Sequence, residues 1–158
     1  MRHSSLLLAG LLGATVTATA VLGAAHMDPK ALEDAVAARQ AHMKLYAFNL
    51  GLLGGMAKGE VDYDASAAEA AAANLSALAS VDQTRYWPEG SDAEALKTRA
   101  LPDIWTKMDE FETAQDALIQ ATMSLEEAAG TDLAALQGAM GDVGKSCGGC
   151  HKPFRKPE

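Results

Sequence analysis

A length of 158 residues fits one domain with a buried core. A formal net charge of −8 weighs against nucleic acid, which needs a basic patch. The only two Cys lie in one Cys-x-x-Cys, so a disulfide framework is excluded: a loop that small braces almost nothing.

Residues 1–25 read as a leader. Met1-Arg2-His3 is a short basic start, Leu6 to Leu22 is an uncharged apolar run, and Gly23-Ala24-Ala25 offers small residues for cleavage before a polar stretch. This is the pattern of a secretory signal peptide. The rival is an uncleaved anchor, since the run is just long enough to span; its Thr and Gly content and small-residue exit favour cleavage after Ala25. The expected mature chain is residues 26–158, periplasmic, with no membrane anchor left. Loss of Arg2 takes its charge from −8 to −9, which suits basic docking partners.

The rest is rich in Ala, Leu, Glu, Gln and Met, which form helices well. A first helix is expected from Pro29 to Met56, with Asp28 as N-cap and Pro29 in the first turn. Val36, Met43 and Leu50 recur at seven-residue spacing with Tyr46 and Leu53 between them, an a/d seam. Gly54-Gly55 weakens its end. A second helix follows the cap Asp64 and runs to about Ser80, with Ala71, Leu75, Leu78 and Val81 as a small-residue stripe. Residues 82–102, with Trp87-Pro88-Glu89-Gly90-Ser91-Asp92, are irregular and form the crossover, with a short helix over Ser91 to Lys97; loops of this length are often functional.

Pro102 opens a third helix, Asp103 to Ala129. Ile104, Met108, Phe111, Gln115, Leu118, Thr122 and Leu125 keep its seam, and Gly130 closes it. Thr131 caps a fourth helix, on which Leu133, Leu136, Met140, Val143, Cys147, Cys150 and Phe154 share one stripe. Four such helices predict an all-α fold, an antiparallel up-down-up-down four-helix bundle.

Cys147-Gly148-Gly149-Cys150-His151 on that last helix is the attachment signature of a c-type haem. The two thiols reach the two vinyl groups of one porphyrin as thioethers, and His151 reaches the iron from the same side. A thioredoxin-like redox pair needs a βαβ context that is missing here. Zinc usually needs four ligands, and neither His26 nor His42 has ligand spacing to the motif. Because both thiols keep the phase of the apolar stripe, one covalently attached haem c is expected inside the bundle.

The chain resembles the class II cytochromes c, the cytochrome c′ family. The resemblance rests on Cys147 to His151 in a bundle's last helix. It extends to Asp34-Ala35-Val36-Ala37-Ala38-Arg39-Gln40, to Pro102-Asp103-Ile104-Trp105 with Phe111, to Gly141-Asp142-Val143-Gly144-Lys145-Ser146, and to Phe154-Arg155-Lys156. It implies that Cys147 and Cys150 carry the haem and that His151 is the proximal iron ligand. Arg39 and Arg155 match basic positions near the haem; the plainer reading of either is a solvated cation.

High-spin members carry an apolar residue four positions after Arg39, and low-spin members carry Met there. Here it is Met43, which implies a six-coordinate His151/Met43 iron suited to electron transfer. The plainer reading of Met43 is core filler. The alternative is a five-coordinate cytochrome c′ that binds NO or CO. His42 lies about 100 degrees round the helix from Met43 and is expected to face outward or touch the haem edge. Met56, Met108, Met123 and Met140 miss the position. Tyr46, Trp105 and Phe111 line the haem or simply pack, and Trp87-Pro88 shields a haem edge or pins the loop. The expected role is an electron carrier and not an enzyme. Its partners are redox proteins docking through charged surfaces, and a homodimer through the first two helices is compatible with the Ala-rich second helix.

Overall fold

The computed structural model describes residues 27–157. The expected leader and its exit at Ala25 lie outside the described residues. Among those described, no helix is long and apolar enough to cross a membrane.

Helix α1 spans Pro29–Lys58. The Asp28 carboxylate accepts the Lys30 amide at 3.0 Å, and Pro29, which has no amide to satisfy, fills the first turn. The helix passes through Gly54-Gly55 and two residues beyond the expected end at Met56. It runs on to Lys58 and stops at Gly59, whose φ of 73° is left-handed and whose amide reaches the Gly55 and Met56 carbonyls. Gly55 serves a close approach instead: a Cβ there would sit 3.2 Å from Val61 Cγ2 in the turn that folds back.

Helix α2 spans Ala65–Ala79, and the Asp64 carboxylate accepts the Ala67 amide at 2.8 Å. Ala68, Ala71, Ala72 and Ala79 are buried with Leu75, so neighbouring helices come close. The crossover follows with a 3-10 turn at Thr84–Tyr86. Residues 91–97 form turns and not the expected helix. The Asp92 carboxylate takes the Glu94 and Ala95 amides, and Ala93 donates to the Ala100 carbonyl at 2.8 Å, curling the segment on itself.

The expected third helix is two. Helix α3, Asp103–Thr106, is one turn; Lys107 leaves helical geometry at φ −133°, ψ 47°; helix α4 spans Met108–Ala129. The Trp105 indole donates to the Trp87 carbonyl at 3.0 Å, which holds α3 against the crossover while α4 follows the bundle. The seam survives the break, with Ile104, Phe111, Thr122 and Leu125 all buried. Gly130 ends α4 in the right-handed region, φ −85°. Its glycine answers to space, since a Cβ would lie 3.3 Å from that of Glu69. Helix α5, Leu133–Phe154, is capped by Asp132, not Thr131: the Asp132 carboxylate accepts the Ala135 amide at 2.8 Å. The Thr131 amide still bonds back to Ala128 in the preceding turn.

α4 packs between α2 and α5, and α1 packs on α2 and, less extensively, on α5. Successive long helices run antiparallel, so the up-down-up-down bundle is present. The turns 59–64 and 130–132 share one end, where the Tyr63 hydroxyl donates to the Ala129 carbonyl and the Gln137 amide to Ala57. The crossover wraps the other end. There Ala100 bridges to Arg155, Leu101 donates to the Phe154 carbonyl at 3.0 Å, and Lys156 donates to Arg99 at 2.8 Å.

The core is split accordingly. One apolar cluster, around Leu53, Leu75, Leu125 and Leu136, fills the turn end and the middle. A second, Ala100, Ile104, Phe111 and Phe154 with Trp87 against it, closes the crossover end.

Candidate functional site

A cavity of about 700 Å³ opens where the two clusters part. That size falls within the roughly 300–1,000 Å³ of small-molecule and cofactor sites. Its walls are α1, the crossover, α3, the start of α4 and the end of α5. It brings together the six residues that the sequence assigns to the haem and its surroundings: Cys147, Cys150 and His151 from α5, Met43 and Arg39 from α1, and Arg155 just past α5.

Helix geometry explains the α5 wall. The motif stays helical to Phe154, so the two Cys, three residues apart, share a face. Cys147 packs against the first cluster and Cys150 against the second, so the pair straddles the seam between them. Burial raises the Cys147 thiol pKa. Burial and the neighbouring Cys147 push Cys150 up to about 11, with Arg155 offsetting part of this. Reactive redox pairs depend on the opposite shift, toward the thiolate. His151 is held below its usual range by burial first, then by Arg155 and Arg99. A neutral imidazole is the form that binds a metal. Among the described residues, no three His, Cys, Asp or Glu side chains converge as a metal centre.

On the α1 wall, Met43 belongs to neither apolar cluster; it borders the cavity. The core-filler reading of Met43 therefore finds no support. Met56, Met108 and Met140 pack in or against the clusters, Met123 is exposed, and none of them lines the cavity. His42 neither faces outward nor borders the cavity. It is buried between α1, α2 and the crossover, edge-on to Tyr46 at 4.8 Å and Tyr86 at 5.7 Å.

Arg39 is not a solvated cation. It is buried, and its guanidinium donates to the Tyr86 carbonyl at 3.1 Å, the Ser91 hydroxyl at 2.8 Å, the Ser91 carbonyl and the Thr98 hydroxyl at 3.2 Å. Its charged carbon lies 4.6 Å over the Trp87 ring, a cation–π contact. Burial pulls its pKa down to about 10, with Asp92 working the other way. It clamps the crossover while facing the cavity. Arg155 is exposed and extended, φ −125°, ψ 126°, at the cavity's edge.

The walls fit a haem. They are largely apolar, with thiols and an imidazole on one side and a thioether on the other. Two lining residues also hold buried donors without partners: the Tyr46 hydroxyl and the Trp87 indole nitrogen. Gln83 stands beside Tyr46 without completing a hydrogen bond, and burial pushes the phenol up to about 12. An unsatisfied buried donor costs about 1–3 kcal/mol, so both favour an occupant that brings acceptors. Phe111 and Trp87 also line the cavity, their rings 4.8 Å apart, whereas Trp105 packs behind. Lys44, Gln83, Lys97 and Thr98 line it too. Sequence reasoning missed these, and for the last three no periodic signal marks an irregular segment.

Comparison with known proteins agrees. A family model described as cytochrome C′ matches residues 34–155. Cytochrome c-554 of Cereibacter sphaeroides is 47% identical over 132 residues, 83% of this chain and 99% of that protein. The solved cytochrome c′ of Rhodobacter Spheriodes superposes with a TM-score of 0.79 at 38% identity, covering 80% of this chain and 98% of that one. Two variants of the Alcaligenes xylosoxidans cytochrome c′, solved with nitric oxide and with carbon monoxide, superpose at 0.70 and 0.71 with 33% identity, covering 80% of this chain and 97% of theirs.

Proposed function

The chain belongs to the cytochrome c′ family, and from that premise we propose that it is a periplasmic electron carrier whose iron is held between His151 and Met43. It is a haem c protein, and the haem supplies a one-electron couple. In this reading Cys147 and Cys150 fix the haem covalently, and His151 presents a neutral imidazole from the same helix. Met43 presents its thioether from the facing wall. Met/His ligation favours electron transfer and raises the reduction potential. Apolar walls keep water from the metal, and Arg39 holds the crossover closed over the site. The observation that carries this reading is that Met43 borders the same cavity as the Cys-x-x-Cys-His motif. Export to the periplasm is supported by the leader pattern and by the haem-attachment motif.

A second reading has the relatives behind it. Most of the similar proteins are named cytochrome c′, and some of the solved structures are complexes with NO or CO. The names favour this reading over the first; the c-554 relatives keep the type open. In it, Met43 lines the cavity without binding, and its face of the site receives the gas. The ferric visible spectrum separates the two. Met43 ligation gives a low-spin spectrum with the far-red sulfur–iron charge-transfer band, and Met43→Leu abolishes that band. A high-spin spectrum, unchanged in the variant and paired with rapid CO binding to the ferrous protein, selects the second reading.

A further inference from the structure

We infer that the mouth of the cavity is a docking surface for an acidic protein, a redox partner whose own cofactor edge is ringed by Asp and Glu. This rests on the electron-transfer reading above. The average charge of the chain, −8, points the other way, to basic partners. The mouth departs from that average. Lys44 from α1, Lys97 and Arg99 from the crossover, and Arg155 after α5 border the cavity, and among the described residues no Asp or Glu does. Lys152 and Lys156 are exposed beside them.

Elsewhere three exposed lysines carry a carboxylate one helical turn away, Lys30 with Asp34 at 2.7 Å, Lys107 with Asp103 at 2.7 Å and Lys145 with Asp142 at 2.8 Å, while Lys58 at the far end of α1 makes no ion pair among the described residues. Lys44 and Lys97, both exposed, make no ion pair among the described residues. Arg39 is not counted with them, because it is buried and spent on the crossover. A haem brings two carboxylates, and Lys44, Lys97 and Arg155 at the rim outnumber them. The acidic remainder repels an acidic partner, so only the mouth accepts one, and the resulting dipole turns the mouth toward it during approach. The docked partner then sits over the cofactor.

The test is a backbone-amide NMR titration of the haem-loaded protein with a hexaglutamate peptide at low salt. Saturable shifts are expected around residues 40–47, 96–100 and 151–156. They should fade at about 0.5 M salt, where screening acts within a few ångströms. Lys44→Glu with Lys97→Glu should weaken binding about tenfold, since rim charges govern such encounters; Lys58→Glu, at the far end of α1, should leave it unchanged. Shifts spread over the whole surface, no saturation, or equal binding by the double variant overturns the inference. The ferric spectrum reports Met43 and the titration reports the rim, so failure of either is read separately.

Discussion

At the turn end of the bundle, Leu53, Leu75, Leu125 and Leu136 are fully buried, and the connections are only a few residues long. At the crossover end α3, α4 and α5 carry Ile104, Phe111 and Phe154 on a wall around a cavity, and one buried arginine holds a long irregular segment in place. The turn end is held by apolar side chains that meet across small alanines. The crossover end gives up that contact between α1 and α5 and relies on directed hydrogen bonds. One end can be left open because the other is closed.

That contrast can be tested by substitution. Leu125→Ala should cost about 3–5 kcal/mol in denaturant unfolding, the range for emptying a tight apolar site. Leu118→Ala, at the cavity border, should cost about 1 kcal/mol, as a half-buried side chain has less to lose. Equal costs would erase the distinction between the ends. Arg39→Lys should cost about 1–3 kcal/mol, because an ammonium cannot serve acceptors on Tyr86, Ser91 and Thr98 together. Amide exchange should then rise in residues 91–100 and not in 68–79; a uniform rise would show that the clamp is not local.

The smallest effect concerns pH. Burial holds the His42 imidazole below its usual pKa, partly offset by the Leu78 carbonyl. As pH falls below about 6.5, the unfolded chain takes a proton that the folded one resists, so stability falls with pH in that window. His42→Phe should flatten the slope. An unchanged slope would mean that other groups carry it.

What could be read from the sequence was local. Asp28 and Asp64 cap because each needs only its own carboxylate and an amide two or three residues on. The phase of Cys147, Cys150 and Met43 on their helices follows from helical geometry, and it placed all three at one cavity. The illegible parts depend on distant partners. Lys107 breaks a helix where a neighbouring tryptophan is tied to Trp87 in the crossover. Gly55 is needed where Val61 folds back against it, a partner six residues on that no helical period marks. Arg39 and His42 looked like surface residues because the crossover and α2 groups that bury them leave no periodic trace. Thr131 is the expected cap of α5 and Asp132 fills that place, because two residues that both cap well stand side by side and the turn decides between them.

The bridge between Ala100 and Arg155 bears on the order in which the protein is completed. The crossover's partners, Phe154 and Lys156, lie at and just past the end of the last long helix. A nascent chain emerging from its N-terminus can assemble α1, α2 and α4 while this latch still has nothing to close on. The haem thiols also arrive late, only a few residues before it. A chain clipped before residue 154 would keep most of the leucine core yet carry an unlatched mouth, a near-complete bundle around an unfinished site.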